Sequence, residues 1–262
     1  MPSPNVALRA ALCTVALAAA SLAGAGACQA ADLYDAAVSH AGRSAADIKR
    51  DALDHPAELL RLAGIKPGMR VADMLAYDGY YSELLSDLVG PQGKVLMLND
   101  VAFDKWAGDD RKTRLAGQRL SNVEYRIVDL DHMNLGAGTL DAIVMCKIYH
   151  DLYWVDPTGE WPKIDTSAVL DQLAQALKPG GVLLLIDHSA KSGHGSADAS
   201  ALHRIDEAYA RQDFEKRGLH VIASSDLLRR PDDPREQITY KGPMLGKTDK
   251  FVLVFSKSKA GK

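Results

Sequence analysis

Short apolar runs alternate with amphipathic runs along most of this 262-residue chain. Runs such as RVADML, KVLMLN, LDAIVMCK and VLLLID are apolar at nearly every position, as strands buried on both faces are. Runs such as YYSELLSDLV and TSAVLDQLAQALK lie between them and have the spacing of one-sided helices. The alternation predicts an α/β fold with a doubly wound, mostly parallel sheet, which we expect to have seven strands.

The remaining elements are less regular. Strands are predicted at VEYRIVD, HVIAS and KFVLVFS, and helices from about Phe103 to Leu120 and over ALHRIDEAYARQDFEKRG. Ahead of the first strand, Ser44 with Asp47 resembles a capping box, and Pro56 can open a helix that Gly64 closes. These segments predict an N-terminal helical collar. The proline- and glycine-rich segment RRPDDPREQITYKGPMLGKTD is predicted to be a loop.

The first 30 residues have the layout of a secretory signal. Arg9 precedes an apolar run, Ala10 to Leu22, and small residues follow it. The run is shorter than the roughly 20 residues that a membrane-spanning helix needs, so we expect export and cleavage rather than a stable span. Cleavage before Ala31 would release a soluble periplasmic or otherwise exported chain, and cleavage before Cys28 would allow a lipid anchor there.

Composition fits one large domain after that segment. The chain is 47% hydrophobic and 25% charged, and its formal charge of −3 offers no basic surface for nucleic acid. We divide it into a signal (1–30), the collar (31–69), the α/β domain (70–257) and a tail (258–262). Without residues 1–30 the chain keeps one cysteine, Cys146, which we expect to be a small core residue rather than a reactive thiol.

Polar side chains follow the predicted strands at their carboxyl ends, where ligands of open α/β sheets bind. They are Asp73 and Asp78 after the first strand, Asn99 and Asp100 after the second, Asp129 after the third, Lys147, His150 and Asp151 after the fourth, and Asp187 and His188 after the fifth. In one interpretation His150 or His188 is a general base, with Asp151 beside it, because the pKa of histidine lies near neutrality.

A second interpretation is a metal site. His150, Asp187, His188 and His203 offer the imidazole and carboxylate ligands that zinc and other transition metals take. No H-E-x-x-H or paired C-x-x-C spacing supports it. His203 and Asp206 are predicted on one face of a helix, where the alternative is a structural role in capping or ion pairing.

The connection YHDLYWVDPTGEWPKID is longer than usual for a strand-to-helix loop and carries four aromatic residues. Such a loop above a strand edge often forms the wall of a small-molecule pocket. The alternative is that its rings pack on the N-terminal helices.

Five segments, in order and spacing, resemble the class I S-adenosylmethionine-dependent methyltransferases. They are VADMLAYDGYYSELL, GKVLMLND, YRIVDLDHMNL, LDAIVMCKIYHDL and LAQALKPGGVLLLIDHS, within roughly Arg70 to Phe255. The resemblance implies a Rossmann-like methyltransferase fold, S-adenosylmethionine as cofactor and methyl transfer, here to a small-molecule acceptor. The motifs YHDL, IDHS and HRID further resemble a group of exported predicted methyltransferases.

The resemblance also implies a cofactor site at the turn after the first strand, where the family has an acidic residue and then G-x-G-x-G. Asp73 and Gly79 match the first and last elements, whereas Leu75 and Tyr77 stand at the first two glycine positions. We therefore expect weaker cofactor binding than in the family at large.

Two further family positions are matched in part. Asn99, with Asp100 next to it, stands at the position that binds the ribose hydroxyls, and Asp129 matches the residue that contacts the adenine amino group. Asp78 and Lys147 complete the candidate cofactor residues, and His150, His188 and Asp151 are the candidate catalytic ones. The alternative function is a periplasmic metal- or small-ligand-binding protein, or a hydrolase, that has lost S-adenosylmethionine binding.

Overall fold

Seven strands form one mixed sheet in the order β3-β2-β1-β4-β5-β7-β6. The computed structural model describes residues 33–258, so the predicted signal and Cys28 lie outside the described residues. The strands are β1 Arg70–Met74, β2 Lys94–Asn99, β3 Val123–Ile127, β4 Leu140–Cys146, β5 Leu177–His188, β6 Leu219–Ser225 and β7 Lys250–Lys257. Strand β7 lies between β5 and β6 and is the one strand of this sheet that is antiparallel to the others. The doubly wound, mostly parallel sheet predicted from the sequence is confirmed.

Eight helices accompany the sheet in the described range. They are α1 (33–38), α2 Ala45–Asp54, α3 Pro56–Ala63, α4 Tyr80–Val89, α5 Val101–Leu115, α6 Thr166–Ala176, α7 Ala199–Leu202 and α8 Glu207–Glu215. The predicted ends of the early helices are present: the Ser44 hydroxyl accepts from Asp47 N, and Gly64 ends α3 in the left-handed region. None of these helices is long and apolar enough to cross a bilayer.

The helices cover both faces of the sheet because alternate strand residues point to opposite sides. On one face α3 and α4 pack on Val71, Val95 and Val144, and on the other α6 and α8 pack on strand residues that include Ile143 and Leu185. The segment predicted as a collar thus contributes α3 to a layer of the core, while α2 lies nearer the carboxyl edge of the strands. The two apolar cores hold that edge in place.

Two predicted helices are wrong in part. The helix predicted to reach Leu120 ends at Leu115 and is interrupted at Gly108, whose φ of 52° and ψ of −130° are not helical. The helix predicted over the HRID motif is absent at that motif. His203 takes left-handed φ and ψ of 53° and 52° as it ends α7, and Ile205 then forms a parallel bridge with Ser189.

Candidate functional site

The turn between β1 and α4 keeps a glycine-type backbone. Leu75, Tyr77 and Gly79 have φ values of 48°, 55° and 88°. A residue with a side chain pays on the order of 1–2 kcal/mol for this region. The Leu75 side chain is 2% exposed in the core, and its burial offsets that strain. The turn therefore has a left-handed backbone at all three positions, although only one of them is a glycine.

Asn99 fixes this turn. Its side-chain Oδ1 accepts from Tyr77 N at 2.9 Å, and its Nδ2 donates to Tyr77 O at 2.8 Å. An aspartate could not make the second bond, because its ionised carboxylate only accepts. Asn99 is fully buried, so it serves the turn rather than presenting a polar group for a ribose.

Tyr77 crosses from the turn to α5. Its ring is 45% exposed, meets Phe103 edge-on at 6.3 Å between centroids, and its hydroxyl donates to Trp106 O at 3.0 Å. Phe103 lines one cleft and Trp106 lines another, so Tyr77 and Phe103 stand between the two.

The larger cleft, about 520 Å³, lies between the start of α5, the end of β3 and the loop around residues 159–164. Asp100 and Asp129 both line it. Asp100 caps α5 by accepting from Phe103 N at 2.8 Å, and burial raises the pKa of its carboxyl. Asp129 caps the short turn that follows β3, and its side chain is 69% exposed. Asp129 is thus the more available of the two carboxylates.

The smaller cleft, about 200 Å³, lies at the β1–α4 turn and the end of β4. Asp73, Asp78 and Lys147 line it. Asp73 is 3% exposed, and burial raises the pKa of its carboxyl to about 7 although the Ser82 hydroxyl donates to it at 2.6 Å. A cationic ligand in this cleft would stabilise the ionised form of Asp73.

Arg50, which the sequence analysis did not select, also lines the smaller cleft. Its guanidinium lies 3.8 Å from the Tyr80 ring centroid, and its Nε donates to Asp54 at 2.7 Å. Asp54 accepts from Lys147 Nζ at 2.7 Å as well. Nothing in the sequence pointed to Arg50, because it lies in a helix far from the family motifs. Only the packing of α2 brings it to the carboxyl edge of the sheet.

Asp78 and Gly79 hold the turn against α5. Arg114 donates to Asp78 through Nε to its carbonyl at 2.7 Å and through Nη2 to its carboxylate at 2.9 Å. A Cβ on Gly79 would lie 2.7 Å from Met97 Cε and 3.1 Å from Arg114 Cδ. A residue with a Cβ at position 79 would thus be strained at a φ of 88° and would displace the end of the Met97 side chain.

Cys146 is the free cysteine of the described residues and also lines the smaller cleft. Burial raises the pKa of its thiol to about 11. The thiol is therefore protonated at neutral pH and a poor nucleophile, in keeping with the core role expected of it.

A second polar group forms where β4 and β5 end. His150 Nδ1 lies 2.7 Å from Asp187 Oδ1, and its Nε2 lies 3.3 Å from Asp151 Oδ1. His203 Nδ1 approaches the same Asp151 oxygen at 3.2 Å. Burial would lower the pKa of His150, but the charges of Asp151 and Asp187 outweigh it and raise that pKa to about 10. The HRID motif thus reaches the other two motifs, although not from a helix.

His188 has the opposite electrostatics. Its Nδ1 lies 2.8 Å from Thr248 Oγ1, and burial, followed by the charge of His150, lowers its pKa well below the usual value. His188 is therefore neutral at physiological pH, whereas His150 is protonated. His150, Asp151 and His188 line neither of the two clefts, but they follow Lys147 along the same edge.

The aromatic loop after β4 forms a wall beside the larger cleft. Trp161 is buried and stacks with Trp106 and Trp154 at centroid distances of 6.0 and 6.1 Å. It also lies 5.3 Å from the Phe103 ring. Trp154 and Trp161 pack on α5, and Tyr149 and Tyr153 pack on α8, so these four rings do not pack on the N-terminal helices. The loop lines the larger cleft through Gly159, Glu160 and the residues 162–164 and not through these four rings.

The chain is similar to curated methyltransferases over part of its length. It is 36% identical over 94 residues to the ribosomal RNA large subunit methyltransferase E of Hahella chejuensis, covering 34% of this chain and 43% of that protein. It is 24% identical over 127 residues to the ubiquinone/menaquinone biosynthesis C-methyltransferase UbiE of Haemophilus ducreyi, covering 48% and 44%. The chain thus spans less than half the length of these relatives. No family model matches it.

The solved structures agree on the fold. A SAM-dependent methyltransferase from Aquifex aeolicus superposes with a TM-score of 0.56 at 21% identity, covering 79% of this chain and 92% of that one. The fold of the described residues is therefore the Rossmann-like methyltransferase fold.

Proposed function

We propose that this chain is an exported S-adenosylmethionine-dependent methyltransferase that acts on a small acceptor. One observation carries the proposal: the β1–α4 turn holds Leu75 and Tyr77 in the left-handed conformation that glycines supply in the family. Strain of this kind persists only where the surrounding structure enforces it, and it concentrates at ligand sites. The turn lies at the carboxyl edge of the sheet, where ligands of such folds bind.

The two clefts give the cofactor a place on either side of Tyr77. The larger one suits an adenosine in size and in its aromatic and carboxylate lining, with Asp129 available to the adenine amino group. The smaller one suits a methionine, because Arg50 and Lys147 can bind its carboxylate and Asp73 its ammonium group. Asn99 and Asp100 are engaged with the Tyr77 backbone and the α5 cap, so we assign neither to the ribose.

A sulfonium cofactor supplies an activated methyl group, so this chain's residues need to position the acceptor, exclude water and take up a proton. His188 is the candidate base, because the Thr248 contact at Nδ1 leaves Nε2 for a proton and because His188 lies on the same strand edge as Lys147, which lines the smaller cleft. It is neutral, and its lowered pKa makes it a weak base. The protonated His150 cannot accept a proton and instead holds Asp151 and Asp187 in place.

A small acceptor fits this surface better than a nucleic acid. The net charge of −3 gives no electrostatic attraction for phosphate backbones, although one of the curated relatives is a ribosomal RNA methyltransferase. Trp106, which lines the larger cleft, and the half-buried Trp154 beside it instead offer apolar contact to a compact molecule.

Export rests on residues 1–30 and is tested separately. A fusion of this segment to an enzyme that is active only outside the cytoplasm should give activity in cells, and substitution of the apolar run by polar residues should abolish it. Equal activity of both fusions would contradict export.

The activity is tested by transfer of a labelled methyl group from S-adenosylmethionine to a bacterial small-molecule extract. We expect labelled product with the wild type and at least 100-fold less with His188→Gln, which should bind S-adenosylhomocysteine unchanged. His220→Gln, on the exposed side of β6, is the matched control and should retain full activity. Equal loss in both variants would remove the base assignment.

A further inference from the structure

We propose that His150, Asp151 and His203 bind one divalent transition-metal ion, and that Asp187 orients His150 for this purpose. The site lies outside the two clefts assigned to the cofactor, and the inference does not depend on the proposed function. It corrects the ligand set considered from the sequence, because His188 contacts Thr248 and Asp187 lies behind His150 rather than among the ligands.

The spacing of the three ligand atoms suits a small ion. Asp151 Oδ1 lies 3.3 Å from His150 Nε2 and 3.2 Å from His203 Nδ1, and the three residues each offer an atom within 4.8 Å of the others. Tetrahedral ligands about 2.0 Å from a zinc ion are roughly 3.3 Å apart. An ion can therefore enter with small side-chain movements.

Asp187 supplies the support that metal-bound histidines usually have. Its carboxylate is fully buried and accepts hydrogen bonds from His150 Nδ1 at 2.7 Å and from His150 N at 2.9 Å. The bond at Nδ1 turns Nε2 toward Asp151. Carboxylates in this position fix the ring and raise its basicity as a ligand, and their loss typically weakens metal binding 10- to 100-fold.

His203 has a strained, left-handed backbone conformation. Its φ of 53° is unusual for a residue with a Cβ, and the next residue, Arg204, is fully buried and paired with Asp233 at 2.8 Å. The Arg204 pair anchors the segment, so that His203 meets Asp151 instead of solvent. The three contributing motifs, YHDL, IDHS and HRID, are distant in sequence and converge on this one point.

The charge of the site favours a cation. Two buried carboxylates, Asp151 and Asp187, lie 3.3 and 2.7 Å from the His150 ring nitrogens. A divalent ion would compensate this buried negative charge. Imidazole with carboxylate selects transition metals over magnesium or calcium, and three protein ligands leave a fourth position for water or a substrate atom. The rings of Trp154 and Tyr240, 5.0 and 4.8 Å from His203, flank that side.

Cobalt titration of the full chain, stripped of metal by a chelator, tests the site directly. We expect one Co²⁺ per chain, with the visible absorption of a four-coordinate ion, and displacement by one Zn²⁺. His203→Gln should weaken Co²⁺ binding at least tenfold, and Asp187→Asn 10- to 100-fold. His194→Gln is the matched control, because His194 also pairs with a single aspartate, Asp198 at 2.9 Å, and should bind cobalt like the wild type.

Two results would overturn the site: no binding by the wild type at millimolar Co²⁺, or equal affinities of His203→Gln and His194→Gln. Circular dichroism of each variant shows whether it folds, and Asp151→Asn replaces His203→Gln if that variant does not. S-adenosylhomocysteine titrations of the same samples keep the outcome separate from that of the proposed function.

Discussion

Leu75 and Tyr77 hold a backbone conformation that glycine adopts at no steric cost, and they do so for different reasons. Leu75 is tied into the core, where removal of its side chain would leave a cavity. Tyr77 is half exposed, and its ring stands between the two clefts. The two positions therefore differ: Leu75 lines the smaller cleft from the core, whereas Tyr77 also places its ring between that cleft and the larger one.

Replacement of Tyr77 by glycine should widen the passage between the two clefts. We expect Tyr77→Gly to bind S-adenosylhomocysteine several-fold more tightly by calorimetry, with a change in unfolding free energy below about 2 kcal/mol, because relief of strain offsets the lost ring contacts. Asn134→Gly relaxes a residue of the same conformation, φ 53°, which lines neither cleft, and should leave affinity unchanged. Weaker binding by Tyr77→Gly would show that the ring supports the cofactor instead.

Asp73 couples stability to pH. Burial raises its pKa to about 7 in the folded chain, against about 3.9 when unfolded, so its contribution to stability falls as the pH rises from about 4 to 7. Asp73→Asn should therefore raise the urea midpoint at pH 8, with little change at pH 4, while weakening cofactor binding at least tenfold.

Asp54 is the control for Asp73, because its pKa is shifted in the opposite direction. Burial would raise its pKa, but Lys147 and Arg50 outweigh it and lower that pKa to about 2, so its stabilisation is present above about pH 4 and is lost as the pH falls through 2. Asp54→Asn should lower the urea midpoint at pH 8, and the corresponding loss in unfolding free energy should be on the order of 2 kcal/mol. A fall in both variants would contradict the assigned pKa of Asp73.

At the scale of elements, the segment between α7 and α8 departs most from what its sequence indicates. Its apolar spacing is helical, but Ile205 instead pairs with Ser189 beside β5, and Asp206 caps α8 by accepting from Ala208 N. The fully buried Arg204, paired with Asp233 from the loop after β6, fixes this path. Its partner is 29 residues away, and no local pattern could have shown it.

Loss of this ion pair should disrupt the segment. Arg204→Met leaves Asp233 buried without its partner, and we expect a loss of about 3–5 kcal/mol in unfolding free energy, measured by urea denaturation. Arg230→Met, on the same loop, should cost less than about 1 kcal/mol because no ion pair of this kind holds it within the described residues. Similar losses in the two variants would show that Arg204 does not anchor the segment.

Other elements could be predicted because their signals are local. The apolar strands, the Ser44 cap and the Pro56 and Gly64 helix ends depend on residues within a few positions of one another. The site could be predicted only in outline. Asp73, Asp129 and Lys147 line clefts at the strand edge, and their cofactor-binding roles stay predictions. The position of Arg50 in a cleft and the bonds of Asn99 to the turn depend on packing between distant segments.

For the molecule as a whole, the sheet order and the superposition on a solved methyltransferase settle the fold, and the proposed function depends on whether the β1–α4 turn binds S-adenosylmethionine. The turn backbone, the two clefts and the polar groups of the smaller one all favour binding. Two features lower the expected affinity for the cofactor. The Tyr77 ring stands between the clefts, and Asn99 is bonded to the turn where the family has a free carboxylate for the ribose.

Calorimetric titration of the purified protein with S-adenosylhomocysteine tests this most directly. We predict one site per chain with a dissociation constant in the micromolar range, weakened at least tenfold in Asp73→Asn, whose removed charge lies in the smaller cleft. No heat of binding at millimolar ligand, from a sample whose circular dichroism shows the folded α/β protein, would contradict the account and leave the fold without its cofactor.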